Sequence, residues 1–120
     1  EVIDIINSPM KRTKKKVTPK LLEKDIQKSI LEYLQLKGYF AWRNNTGAFK
    51  TEAGGFYRAG MLGSADIIGL TKKGQFLAVE VKRQGNSLSP AQKAFRGQIL
   101  ASGGMFLIAH SIDDVVNAGL

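Results

Sequence analysis

Asp66, Glu80 and Lys82 are spaced so that two carboxylates and an ammonium group could meet at one end of a β-hairpin. Asp66 lies in the apolar run Ala65 to Leu70, and Glu80 and Lys82 lie in the run Gln75 to Lys82. Thr71-Lys72-Lys73-Gly74 reads as the turn between two strands. A turn centred on Lys73 sets Leu70 opposite Phe76, Ile68 opposite Ala78 and Asp66 opposite Glu80. Directly opposed residues share a face of the sheet, and alternation keeps Lys82 on the face of Glu80. The other face then carries Ile67, Leu77, Val79 and Val81. This convergence depends on register, because a slip of one residue would separate the carboxylates.

Two opposed carboxylates in an apolar sheet repel each other, and burying ionised groups is costly. A divalent cation removes the conflict. Magnesium binds a few carboxylates together with waters and phosphate oxygens. Bound there, it polarises a phosphodiester, lowers the pKa of a water and holds both in line. Lys82 would orient the attacking water or stabilise charge on the phosphate. Taken alone, such a group reads as a structural ion pair at a sheet end. The surrounding residues weigh against that.

The elements that must position these residues follow from periodicity and punctuation. Thr18-Pro19 reads as a helix start, with Leu22, Ile26, Ile30, Tyr33 and Leu34 at helical spacing and Gly38 as the stop. Tyr39 to Asn44 reads as a strand. Residues 45–63 are glycine-rich and are predicted to be an irregular loop, of a length that tends to be functional. After the hairpin comes a polar loop, Arg83 to Leu88. Ser89-Pro90-Ala91-Gln92 combines an N-cap, a first-position proline and a capping-box glutamine, and the helix it starts ends near Ala101. Met105 to Ala109 is a short buried strand, and Ser111 caps a last helical turn or two. The predicted order is α-β-β-β-α-β with a terminal helix: an α/β fold whose mixed sheet is flanked by helices.

The bulk composition narrows the chemistry. A chain of 120 residues suits one domain, and 43% hydrophobic residues is ordinary for a globular fold. There is no cysteine, which excludes disulfides, thiolate zinc sites and cysteine nucleophiles, and His110 is the one histidine. No apolar run is long enough to cross a bilayer, and Glu1 to Pro9 lacks the pattern of a signal peptide, so an intracellular, cytoplasmic protein is expected. The formal charge is +8, and six of the eighteen cations fall at Lys11, Arg12, Lys14, Lys15, Lys16 and Lys20 with no acid between them. The remainder is nearly balanced. Residues 1–18 therefore read as a basic arm and residues 19–120 as the folded domain. Lys14, Lys15 and Lys16 are candidate phosphate contacts, and a solvated tail explains the arm equally well.

Asp66 followed by Glu80-Val81-Lys82 resembles the D…(D/E)-x-K signature of the PD-(D/E)xK nucleases. Further segments bring the chain close to the VRR-NUC domain in particular. They are Glu23, Trp42-Arg43-Asn44, Arg58-Ala59-Gly60, Gly63-Ser64-Ala65-Asp66-Ile67-Ile68-Gly69 and Ser89-Pro90-Ala91-Gln92. Ala65 departs from the family, which often has proline there, but Asp66 still supplies the carboxylate. The resemblance implies a restriction-endonuclease-like core and a phosphodiesterase dependent on Mg2+, with Mn2+ as a substitute. It implies Asp66, Glu80 and the backbone carbonyl of Val81 as metal ligands, and Glu23 near the metal directly or through water. It implies Lys82 as the catalytic lysine and Gln92 projecting toward the site. It also implies a DNA endonuclease acting on branched DNA, such as four-way (Holliday) junctions. Small stand-alone members resemble virus- or phage-encoded homodimers.

Several of these residues have a second explanation. Glu23 is in the first turn of its helix, where an acid is favoured by the helix dipole. Gln92 is complete as a capping residue. His110 reads as a capping or packing residue, and Trp42 as core. Arg43, Arg58 and Arg83 flank the site in sequence and are expected on phosphates. A non-catalytic DNA-binding module, or a nuclease subunit of a larger replication or repair assembly, is the alternative function.

Overall fold

The computed structural model describes residues 22–120. The basic arm, including Lys14, Lys15 and Lys16, and the Thr18-Pro19 helix start lie outside the described residues. Helix α1 spans Glu23–Leu36, strand β1 Ala41–Arg43, β2 Gly47–Lys50, β3 Phe56–Ala59, β4 Ile67–Leu70 and β5 Phe76–Val81. Helix α2 spans Pro90–Ala101, β6 Met105–Ala109 and helix α3 Ile112–Asn117. Among the described residues no helix is long and apolar enough to cross a membrane.

Helix α1 begins later than the sequence suggests. Leu22 is its N-cap, with extended backbone and no side-chain cap, and Glu23 and Asp25 occupy the first turn. Acids there complement the positive end of the helix dipole. The helix buries Ile30 and Leu34, with Ile26 and Tyr33 alongside. Its end is marked by Gly38, and the Tyr39 N–H returns to the carbonyl of Leu34 at 3.0 Å.

Strands β1, β4, β5 and β6 form one sheet in the order β1-β4-β5-β6. The pairs β1–β4 and β4–β5 are antiparallel, and β6 runs parallel to β5, so the sheet is mixed. The hairpin register is the one expected: Leu70 pairs with Phe76, Ile68 with Ala78 and Ile67 with Val79. Every β5 residue from Leu77 to Val81 is buried. Leu77, Val79 and Val81 face α1 and α3, in a core with Ile30, Leu34, Ile67, Ala109 and Val115. Helix α2 packs on β6 across the opposite face, the one that carries Glu80, with Phe95 edge-on to Phe106 at 6.4 Å. Gly69 permits the close approach of β1, since a Cβ there would strike the Phe40 carbonyl.

Two expectations are corrected. The segment 45–63 is not an irregular loop throughout. It contains a hairpin of β2 and β3, with Phe49 opposite Tyr57 and Lys50 opposite Phe56. Its turn is closed by Thr51, whose N–H donates to the Gly55 carbonyl at 2.8 Å and whose Oγ1 accepts from the Gly55 N–H at 3.0 Å. The flanking glycines hide two short alternating runs. Trp42 is not core. It is 45% exposed and leans on Phe40. Register places it level with Ile68 on the α2 side of the sheet, where α2 covers β6 and β1 is the edge strand.

Candidate active site

Asp66 immediately precedes β4, at the point where backbone pairing with β5 stops. Its carbonyl accepts the Asn44 N–H at 2.8 Å, which continues the β1–β4 pairing. Its carboxylate takes over the hydrogen bonding toward β5: Oδ2 accepts the Val81 N–H at 2.8 Å. Asn44 also donates through Nδ2 to Ser64 Oγ and to the Ala65 carbonyl, both at 2.8 Å. The turn leading into Asp66 is thereby clamped from β1. Gly63 lets this turn lie against the first turn of α2. Its φ is +83°, and a Cβ would collide with the Ala91 carbonyl. The sheet end and the helix carrying Gln92 are thus held together.

Glu80, 4% exposed, is the buried charged residue among the described ones. Gln92 Nε2 donates to its Oε2 at 3.0 Å, and Lys82 Nζ stands 4.0 Å from the same oxygen. Burial pushes the Glu80 carboxyl up to about 8, and the negative charge of Asp66 pushes it the same way. Lys82 opposes the shift. Asp66 is also raised, first by burial, against the Val81 hydrogen bond. The sheet end therefore resists holding two negative charges by itself.

Gln92 fills both roles that its sequence context allows. Its Oε1 accepts the Ser89 N–H at 2.8 Å, and its own N–H donates to Ser89 Oγ at 3.2 Å, completing the capping box. With Oε1 engaged, Nε2 is left to face Glu80 as a donor.

Glu23 adjoins the pair. Its Oε2 accepts the Arg83 N–H at 3.1 Å and the Asn86 Nδ2 at 3.2 Å, which pins the loop after Lys82 to α1. Its charge is felt at both Asp66 and Glu80. Even so, no three Asp, Glu, His or Cys side chains among the described residues are arranged to hold a metal. The donor set suited to a cation is therefore the Asp66–Glu80 pair. Two oxygen ligands whose joint ionisation is opposed by burial and mutual repulsion fit a hard divalent ion, with waters and phosphate oxygens completing its shell.

The structure gathers Asp66, Glu80, Lys82 and Gln92, with Glu23 adjoining. It does not gather the three arginines. Arg43 lines a shallow groove along α1 with Lys24, Asp25 and Lys28. Arg58 is on the β2–β3 hairpin, opposite Ala48. Arg83 follows Lys82 on the loop held by Glu23. His110 packs at the start of α3 without capping it: Asp114 Oδ2 accepts its backbone N–H at 2.8 Å and sits 3.0 Å from Nδ1. This contact stands where a Ser111 cap was expected, and Ser111 makes no side-chain cap bond. The positioning role of Asn86 had no signal in the sequence beyond a polar loop. Asn44 was visible as part of the Trp42-Arg43-Asn44 segment, but its clamp on the Asp66 turn was not.

A mixed sheet flanked by helices, with an acid entering β4 and Glu-Val-Lys closing β5, is the architecture of a restriction-endonuclease-like protein. The family model for the VRR-NUC domain matches residues 21–113, and the chain belongs to that family. It is accordingly a nuclease with DNA as its substrate class. No curated protein and no solved structure matches the chain.

Proposed function

We propose that the chain is a Mg2+-dependent endodeoxyribonuclease acting on branched DNA, four-way junctions above all. The observation that carries the reading is the buried Glu80 beside Asp66, with Lys82 Nζ 4.0 Å from Glu80. Asp66 and Glu80 would hold the metal, the Val81 carbonyl would be a further ligand, and Glu23 would act through water. The bound ion supplies a polarised phosphate oxygen and a more acidic water.

The reaction is hydrolysis. A water oxygen bonds to phosphorus, the P–O bond to the leaving sugar breaks, and the products are a phosphate end and a hydroxyl end. Lys82 orients the attacking water or stabilises charge accumulating on the phosphate. Gln92 fixes the Glu80 carboxylate, and Glu23 fixes the loop that carries Arg83. Arg43, Arg58 and Arg83, with Lys14, Lys15 and Lys16 of the basic arm, contact phosphates. A homodimer would set two sites on two strands, which symmetric junction cutting requires. Its work is proposed to lie inside the cell.

The test is a cleavage panel with magnesium, comparing junctions, flaps, single strands and plain duplex, with Lys82→Ala run beside the parent. Metal-dependent cutting of junctions, lost in the variant, supports the reading. Equal cutting of junction and plain duplex removes the branched-substrate part.

A further inference from the structure

The β2–β3 hairpin forms a two-stranded sheet of its own, outside the four-stranded sheet. Such a hairpin is marginally stable in water by itself. It nevertheless presents aromatic side chains on both faces. Phe49 and Tyr57 are opposed on one face and contact each other, with ring centroids 5.6 Å apart. On the other face, Phe56 is opposite Lys50 and two residues from Arg58 along β3. Phe56 is 71% exposed and stacks on no aromatic ring among the described residues.

The two ends of the segment that carries the hairpin are fixed beside the site. The chain leaves β1 through Asn44, whose N–H holds the Asp66 carbonyl, and it returns through Ser64, whose Oγ is held by Asn44 Nδ2. The hairpin is therefore rooted at the strand that delivers Asp66. From residue 47 to 59 its cations are Lys50 and Arg58, and its one acid is Glu52, in the turn. An exposed ring with two cations on the same face matches a nucleotide, whose base stacks on the ring while the cations neutralise the neighbouring phosphates. A base inside a duplex has both faces covered by its neighbours. The complementary ligand is thus an unpaired nucleotide.

We propose that Phe56 is a stacking platform for an unpaired base of the DNA substrate, with Lys50 and Arg58 on the adjoining phosphates. This rests on the reading of the chain as a branched-DNA nuclease for the substrate class, and within that class it favours DNA with unpaired nucleotides, such as flaps, over a fully paired four-way junction. It makes the hairpin the element that distinguishes DNA with unpaired nucleotides from plain duplex.

The experiment measures binding with magnesium withheld, so that no bond is cut. Two DNAs of equal length are compared: a duplex with one unpaired 2-aminopurine nucleotide, and the same duplex fully paired. The parent and Phe56→Trp are expected to quench the 2-aminopurine fluorescence. Phe56→Ala is expected to lose the quenching and to bind the unpaired-nucleotide DNA about tenfold more weakly, while its affinity for the paired duplex stays the same. Equal weakening on both DNAs, or none on either, overturns the proposal. So does a solution mass that falls from dimer to monomer in Phe56→Ala, because the face would then join two copies of the chain. Failure here is separable from failure of the nuclease reading. A protein that cuts junctions while Phe56→Ala binds like the parent loses only the stacking platform.

Discussion

Gln92 joins the capping box of α2 to the buried carboxylate of β5: Oε1 accepts from the Ser89 N–H at 2.8 Å while Nε2 donates to Glu80 at 3.0 Å. One side chain thus stabilises a helix end and orients an active-site acid. The two functions separate on substitution. Gln92→Glu keeps an acceptor for the Ser89 N–H but loses the donor and sets a third negative charge beside Glu80. It is expected to keep most of the helix stability and to lose cleavage at least about tenfold. Ser89→Ala should cost about 1 kcal/mol of stability with a smaller effect on cleavage. Melting temperatures and single-turnover rates for both variants check this.

The raised Glu80 carboxyl predicts an inverted pH–stability profile in the absence of metal. The unfolded chain ionises this group near 4.5, whereas the folded chain keeps its proton until about 8. The folded state binds more protons in that window, so the stability contributed by this group falls as pH rises from 4.5 to 8. Glu80→Gln removes that component, and its advantage over the parent should grow across the window to the order of a few kcal/mol at most. Denaturant melts at several pH values, with metal chelated, measure the difference. A difference that shrinks with rising pH would contradict the assignment.

Magnesium should reverse the same penalty. At pH 8, added magnesium is expected to raise the melting temperature of the parent, because binding to the folded state alone stabilises it. Glu80→Gln should show little or no rise. An equal rise in both proteins would place the bound metal elsewhere.

Lys82→Ala is expected to leave the fold intact, because its side chain reaches the edge of the site and its backbone N–H still pairs with the Ala109 carbonyl at 3.1 Å. Cleavage should fall by about a hundredfold or more, the usual consequence of removing a group that stabilises transition-state charge. A variant that cuts at the parent rate would remove Lys82 from the mechanism.

Gly63 and Gly74 have nearly the same φ, +83° and +84°, but only Gly63 has backbone where a Cβ would go. Gly74→Ala should therefore cost about 1 kcal/mol, for conformation alone. Gly63→Ala must also push the Asp66 turn off the Ala91 carbonyl, and should cost several times as much and lower cleavage too. Equal losses in the two variants would mean that the turn moves away freely.

The sequence by itself determined the hairpin that brings Asp66 and Glu80 to one sheet end, the face they share with Lys82, and the capping box at Ser89. These depend on a period of two, on a turn of known length and on residues within one hairpin or one helical turn, all of which are local. Other features were decided by the tertiary structure alone. Helix α1 starts at Glu23, and its carboxylate is committed to Arg83 and Asn86, sixty residues and more away. Trp42 is exposed because α2 covers β6 and β1 lies at the sheet edge. The β2–β3 hairpin lay hidden among glycines that read as loop. Gln92 had two complete local explanations, and only the packing of α2 on the Glu80 face showed that both hold. Local pattern specifies which way a side chain points along its own element. What it meets there depends on the elements packed against it, which local pattern does not encode.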